Sequence, residues 1–127
     1  MKLTRHEAAD APSSPSGYAQ AVEISGHQRL VFVSGQIPVA ADGSVPEDFT
    51  SQARQAWANV RAQLRAADMD VENIVKSTVF LADRRYAPQN RVVRKEVLGA
   101  HDPALTVIIT GIFDEAWLIE IECVAAA

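Results

Sequence analysis

Apolar residues recur along this chain in two periods, and the alternation between them marks out the elements. Residues 1–17 show neither period; they carry Pro12, Pro15, three serines and Gly17. Residues 1–16 therefore read as a loosely held N-terminal arm ahead of one domain, 17–127. "YAQAVEI" (18–24) and "RLVFVSGQI" (29–37) are β-rich runs around the turn "SGHQ", which predicts a hairpin. "PVAADGSVPE" contains Asp42-Gly43 and two prolines, so it predicts a loop. The strongest helical signal follows. Asp48 suits an N-cap, and Phe49, Ala53, Trp57, Val60, Leu64 and Ala67 recur every three or four residues. Gln52, Gln55, Asn59, Arg61 and Gln63 fall mainly on the remaining faces, so residues 49–67 read as an amphipathic helix with Trp57 in the core.

"NIVKSTVFLA" (73–82) reads as a strand, and "APQNRVVRKEVLG" (87–99) as a second helix, with Pro88 near its start and Gly99 past its end. "PALTVIITGI" and "AWLIEIECVA" supply two more strands. The order β-β-α-β-α-β-β defines an α+β fold in which two helices cover one face of a sheet. The other face needs another cover. In "PALTVIITGI", Leu105, Val107 and Ile109 share one side, while Ala104, Thr106, Ile108 and Thr110 share the other. Both sides are largely apolar, which predicts self-association through the face without helices. In the last strand Trp117, Ile119, Ile121 and Cys123 belong to the helix side. Glu120 and Glu122 therefore point at the proposed subunit contact, either as a wet rim paired with a neighbour's cations or as an acid–base group in a cleft.

Composition narrows the function classes. The 127 residues are 48% hydrophobic and 22% charged with a formal charge of −4, which provides no global field for nucleic acid or an acidic membrane. Arg84, Arg85, Arg91, Arg94 and Lys95 cluster in sequence and read as a solvated helical face. The start has no apolar stretch typical of a secretory signal, and no run reaches bilayer length, so a soluble, cytoplasmic protein is expected. Cys123, the single cysteine, falls on the core side of its strand and reads as inert. The sequence has no phosphate-binding or dinucleotide glycine motif. His6, His27 and His101 lack metal-ligand spacing, so no cofactor or metal is expected. Ser34 precedes Gly35 at a strand end, where a backbone can approach a ligand closely, but it lacks a nucleophile-elbow context.

"GYAQAV", "VFVSGQIPV", "SQARQAWANVRAQLRAAD", "ENIVKSTVFLAD", "DPALTVI" and "LIEIECVA" together resemble the Rid family in order and spacing. These are the RidA/YjgF enamine/imine deaminases, formerly called translation-initiation inhibitors or L-PSP endoribonucleases. The resemblance implies a homotrimer of chorismate-mutase-like subunits with small-molecule clefts between neighbours. It also implies cofactor-free hydrolysis of imines such as that derived from 2-aminoacrylate to a keto acid and ammonia. Matched residue by residue, it assigns Tyr18, Ser34, Gly35 and Asn90 to the cleft and Glu120 to the water.

One residue departs from the pattern. Family members hold the substrate carboxylate with an arginine in a Pro-Ala-Arg motif; here the motif is Pro103-Ala104-Leu105, with Val107 two residues on. Leu105 and Val107 thus line a cleft that lacks its defining charge, with Arg91 and Arg94 of the second helix as possible substitutes. Two functions compete. One is hydrolysis of an imine or enamine other than ordinary 2-aminoacrylate. The other is a non-catalytic, chaperone-like or regulatory trimer that binds a small molecule in the same cleft. Nucleic acid and membranes are not expected as partners.

Overall fold

The computed structural model describes residues 1–127. In chain order the elements are β1 (Lys2–His6), β2 (Ala21–Ser25), β3 (Leu30–Gln36), α1 (Phe49–Ala66), β4 (Ile74–Leu81), α2 (Ala87–Leu98), β5 (Ala104–Ile109) and β6 (Ile119–Ala126). Single 3-10 turns at Val71–Asn73 and Arg84–Tyr86 precede β4 and α2. The main sheet runs β3-β6-β4-β5, with β4 parallel to β5 across α2 and antiparallel to β6. No helix is long and apolar enough to cross a membrane.

Two sequence expectations need correction. Residues 2–6 are not a loose arm: they form β1, which pairs antiparallel with β2 from Lys2↔Ser25 to His6↔Ala21. Consequently β2 and β3 do not form the predicted hairpin. The reason lies at the other end of the chain. The backbone N–H groups of Gln28 and Arg29 both donate to the Ala127 carbonyl, at 2.8 and 2.9 Å, and fasten the start of β3 to β6. Gly26, at φ 66°, supplies the left-handed turn that redirects the chain. Pairing with β6 sets Val33 opposite Cys123 and buries it, which a β2–β3 hairpin would not achieve.

The core lies between α1 and one face of the sheet. Phe49, Ala53, Ala56, Trp57, Val60 and Leu64 meet Val79, Leu81, Ile119 and Ile121, all buried. Full burial of aliphatic side chains of this size contributes roughly 1.5–3 kcal/mol each. Asp48 caps α1 as predicted, accepting from the Ser51 N–H at 3.0 Å. Gln52, however, belongs to the buried side of α1 and not to its polar faces. Its Nε2 donates to the Pro46 and Ala116 carbonyls at 2.8 and 2.9 Å, and its Oε1 accepts from the Leu118 N–H at 2.8 Å. A polar group satisfied three times can be buried without penalty, and here it pins the entry to β6.

Along β6 the burial alternates as expected: Ile119, Ile121 and Cys123 are buried, and Glu120 and Glu122 are not. The face opposite the helices carries exposed Phe32 and Ile108. Beyond α1, Asp70 accepts from Arg61 Nε and a terminal guanidinium nitrogen at 3.0 and 3.1 Å, and from Arg65 Nε at 3.3 Å. The Arg61 hydrogen bonds hold its carboxyl at about 2, below the ordinary 3.8. A depressed carboxyl stabilises the fold above its unfolded value, and the stabilisation is lost as pH falls through the folded value. Asp70→Asn should therefore cost about 1–2 kcal/mol at neutral pH, allowing for the partial exposure of the arginines. Denaturant unfolding should show the gap closing between pH 4 and 2. A gap independent of pH would contradict an electrostatic origin.

Candidate functional site

The residues assigned to a site from sequence fall into two groups. The first forms where the segment before β2 meets α2 and β5. Ala19 pairs in parallel with Ala104, and its N–H donates to the Pro103 carbonyl at 3.0 Å, which sets Tyr18 beside the start of β5. On α2, Ala87, Asn90, Arg91 and Arg94 follow the i, i+3, i+4, i+7 spacing of one helical face. Together with Tyr18, Leu105 and Val107 they line a cleft of about 520 Å³. Asn90 is only 3% exposed, and its Oδ1 has no hydrogen-bond partner.

Arg94 corrects the reading of the basic cluster as a solvated face. Arg84, Arg85, Arg91 and Lys95 are exposed, whereas Arg94 is 7% exposed and forms no ion pair. Burial and then the like charge of Arg91 push its pKa down, opposed by attraction to Tyr18 and Asp102. The sequence signal for this placement was the four-residue step from Asn90, which puts both side chains on one helical face.

The second group gathers on the other side of the sheet, around Glu120. Phe80 of β4 is its register partner. On the β3 side, the pairing shifts between Val33 and Gln36, and Ser34 and Gly35 sit in that irregularity. A side chain at Gly35 would run into the Glu120 carboxylate, so this glycine is what allows the carboxylate to lie over β3. Ser34 beside it is exposed, and Glu120 takes part in none of the chain's ion pairs.

The pleat separates the groups. Leu105 is in register with Ser77, and Ser77 with Cys123, all on the helix side. Glu120 and Phe80 face the opposite way. A single chain thus brings together Tyr18, Asn90, Leu105 and Val107, and separately Ser34, Gly35 and Glu120, but not the two sets. Cys123 is buried, and burial, with Glu122 adding to it, pushes its thiol up to about 12, as an inert core cysteine requires. No three His, Cys, Asp or Glu side chains converge as metal ligands would.

Residues 8–127 match the family model described as endoribonuclease L-PSP. The chain belongs to this family, the Rid family. Among solved Rid-type structures, YyfB from Yersinia pestis superposes with a TM-score of 0.85 over 100% of both chains, at 23% identity, a likeness of fold alone. TdcF from Escherichia coli, solved with bound serine, matches at a TM-score of 0.74 and 32% identity over 98% of each chain. The 2-iminobutanoate/2-iminopropanoate deaminase of Salmonella typhimurium is 44% identical over 75 residues, 58% of this chain and 56% of that protein. The chain spans about half the length of the first curated Rid relatives it matches.

The close approach of Gly35 to Glu120 makes a prediction independent of any substrate. In Gly35→Ala the flexible carboxylate should swing aside at a cost to stability of about 1 kcal/mol or less. The Glu120 side-chain resonance should move in NMR spectra of the variant. An unaltered resonance would contradict the contact.

Proposed function

We propose that this Rid-family chain is a hydrolase that deaminates a small imine or enamine, working as a homotrimer in which each cleft is completed by the opposite sheet face of a neighbour. The observation that carries the reading is the division of the site. Each chain has an open cleft with Tyr18 and Asn90 on its helix side and an unpaired carboxylate, Glu120, on its other face. Exposed Phe32, Ile108 and Phe113 support burial of that other face against a second copy. A repeated contact of this heterologous kind gives a ring when its rotation closes, a trimer at one third of a turn.

In the reaction, Glu120 takes a proton from water as the oxygen attacks the imine carbon, giving a carbinolamine. Proton return to nitrogen and collapse of that intermediate expel ammonia and leave a keto acid, so that imine plus water balances keto acid plus ammonia. General-base assistance of this type contributes typically about 10²–10⁴-fold. Tyr18 and Asn90 orient the substrate.

Leu105 sets the substrate apart. A charge-assisted pair contributes about 1.5–3 kcal/mol, so loss of an arginine at this position weakens a carboxylate held there at least about tenfold. Ordinary 2-aminoacrylate, with little aliphatic surface to offset that loss, is a poor substrate, whereas an imine with a larger aliphatic side chain packs better against Leu105 and Val107. The same two residues favour the second reading, a trimer that binds a small molecule in this cleft without turning it over.

Ammonia and keto-acid release should be measured with imines generated in situ from several amino acids. Native protein should favour aliphatic imino acids, and Glu120→Gln should be slower by about 10²-fold or more. Leu105→Arg should shift preference toward 2-aminoacrylate. Activity confined to Leu105→Arg would favour the binding role, and silence in both would remove Glu120 as a catalytic residue.

A further inference from the structure

We infer that the charge missing from position 105 is supplied by Arg94 of α2, assisted by Arg91, so that the cleft takes a small aliphatic imino acid with its carboxylate turned toward the helix. This rests on the hydrolase reading for the site but concerns how the ligand is held. Three independent features converge on it.

The first is the state of Arg94. A buried guanidinium carries five donors and a fixed charge, and it is normally matched by a carboxylate or several carbonyls. Arg94 has no ion pair. Asp102 and Tyr18 act on it only by through-space attraction. Burial and the like charge of Arg91 both disfavour its charged form, a cost that a bound anion would offset. The second is its access. Arg94 and Arg91 line the cleft beside Leu105 and Val107. The segment passing over the guanidinium is Gly17, at φ 80°, where a Cβ would stand 3.7 Å from a terminal nitrogen of Arg94. A glycine there adopts the left-handed conformation without strain and packs at ordinary contact distance from the arginine.

The third is Asn90, one turn before Arg94. Its Oδ1 is buried without a donor, and a buried acceptor left unpaired costs about 1–3 kcal/mol. An imine N–H is the donor it lacks. The ligand that satisfies all three has a monocarboxylate for Arg94 and Arg91, an N–H for Asn90, and an aliphatic chain for Leu105 and Val107. Asp102, near the same guanidinium, disfavours a dianion such as a phosphate monoester.

The test is isothermal titration of the oligomer as purified, with 2-oxobutanoate as the charged probe and 2-oxobutanamide as its neutral counterpart. Native protein should bind the acid at least about tenfold more tightly than the amide. Arg94→Gln should lose that preference while keeping its affinity for the amide, and Arg94→Gln combined with Leu105→Arg should restore it. Arg91→Gln should lose less, since that side chain is exposed. A preference that survives in Arg94→Gln, or native protein that binds acid and amide alike, overturns the proposal. Should Arg94→Gln fail to unfold cooperatively, the native protein still decides: its Arg94 Nε–H resonance should shift with 2-oxobutanoate and not with the amide, and no shift overturns the proposal. Imine turnover on the same samples separates the two readings. Turnover with unchanged KM in Arg94→Gln sinks the anion site and spares the hydrolase. Acid preference lost with Arg94, without turnover in any sample, sinks the hydrolase and spares the anion site.

Discussion

The pleat of β6 governs what this molecule can be. Successive residues of a strand point to opposite faces, so a strand that must bury Ile119, Ile121 and Cys123 against α1 has no choice about Glu120. The carboxylate is delivered to the face without helices. The cleft with Tyr18, Asn90 and Leu105 is bound to the other side, because α2 and the pre-β2 segment pack there. A one-residue slip would exchange the faces and expel the core, so the separation is as well determined as the hydrophobic core itself. A carboxylate and a cleft divided in this way can form one site only if two copies meet.

Much of this was legible in the sequence wherever one period dominated. The apolar spacing from Phe49 to Leu64 located α1, and the alternation in "LIEIECVA" assigned both faces of β6. Both signals are local, and each is enforced by the same core. What stayed hidden depended on distant partners. β1 pairs with β2 across residues 7–20, and its own residues, all polar but Leu3, carry no period to betray a strand. The hairpin expectation failed for a related reason: β3 is held by β6 and by the Ala127 carbonyl, nearly a hundred residues away in sequence.

Polar residues in buried positions were the other source of error. Gln52 and Arg94 each obey the helical spacing of their buried neighbours, but residues of those types are usually solvated. Gln52 is buried because three backbone groups await it at Pro46, Ala116 and Leu118. No such partners surround Arg94. That contrast is informative: a polar residue satisfied by its own chain is structural, whereas one left unsatisfied at the edge of a cleft points to a ligand. The replacement of the family's arginine by Leu105 then reads as a relocation of charge from strand to helix, with an apolar wall left where the charge had been.

The most direct test of a site divided between copies is complementation by mixed assembly. Glu120→Gln damages the half on the outer face, and Asn90→Ala damages the half in the cleft. Each alone should be nearly inactive in imine hydrolysis. Coexpressed in equal amounts and assembled at random, they should recover about a quarter of native activity, the share of contacts that unite two intact halves. Mixed oligomers no more active than either parent would contradict the shared site.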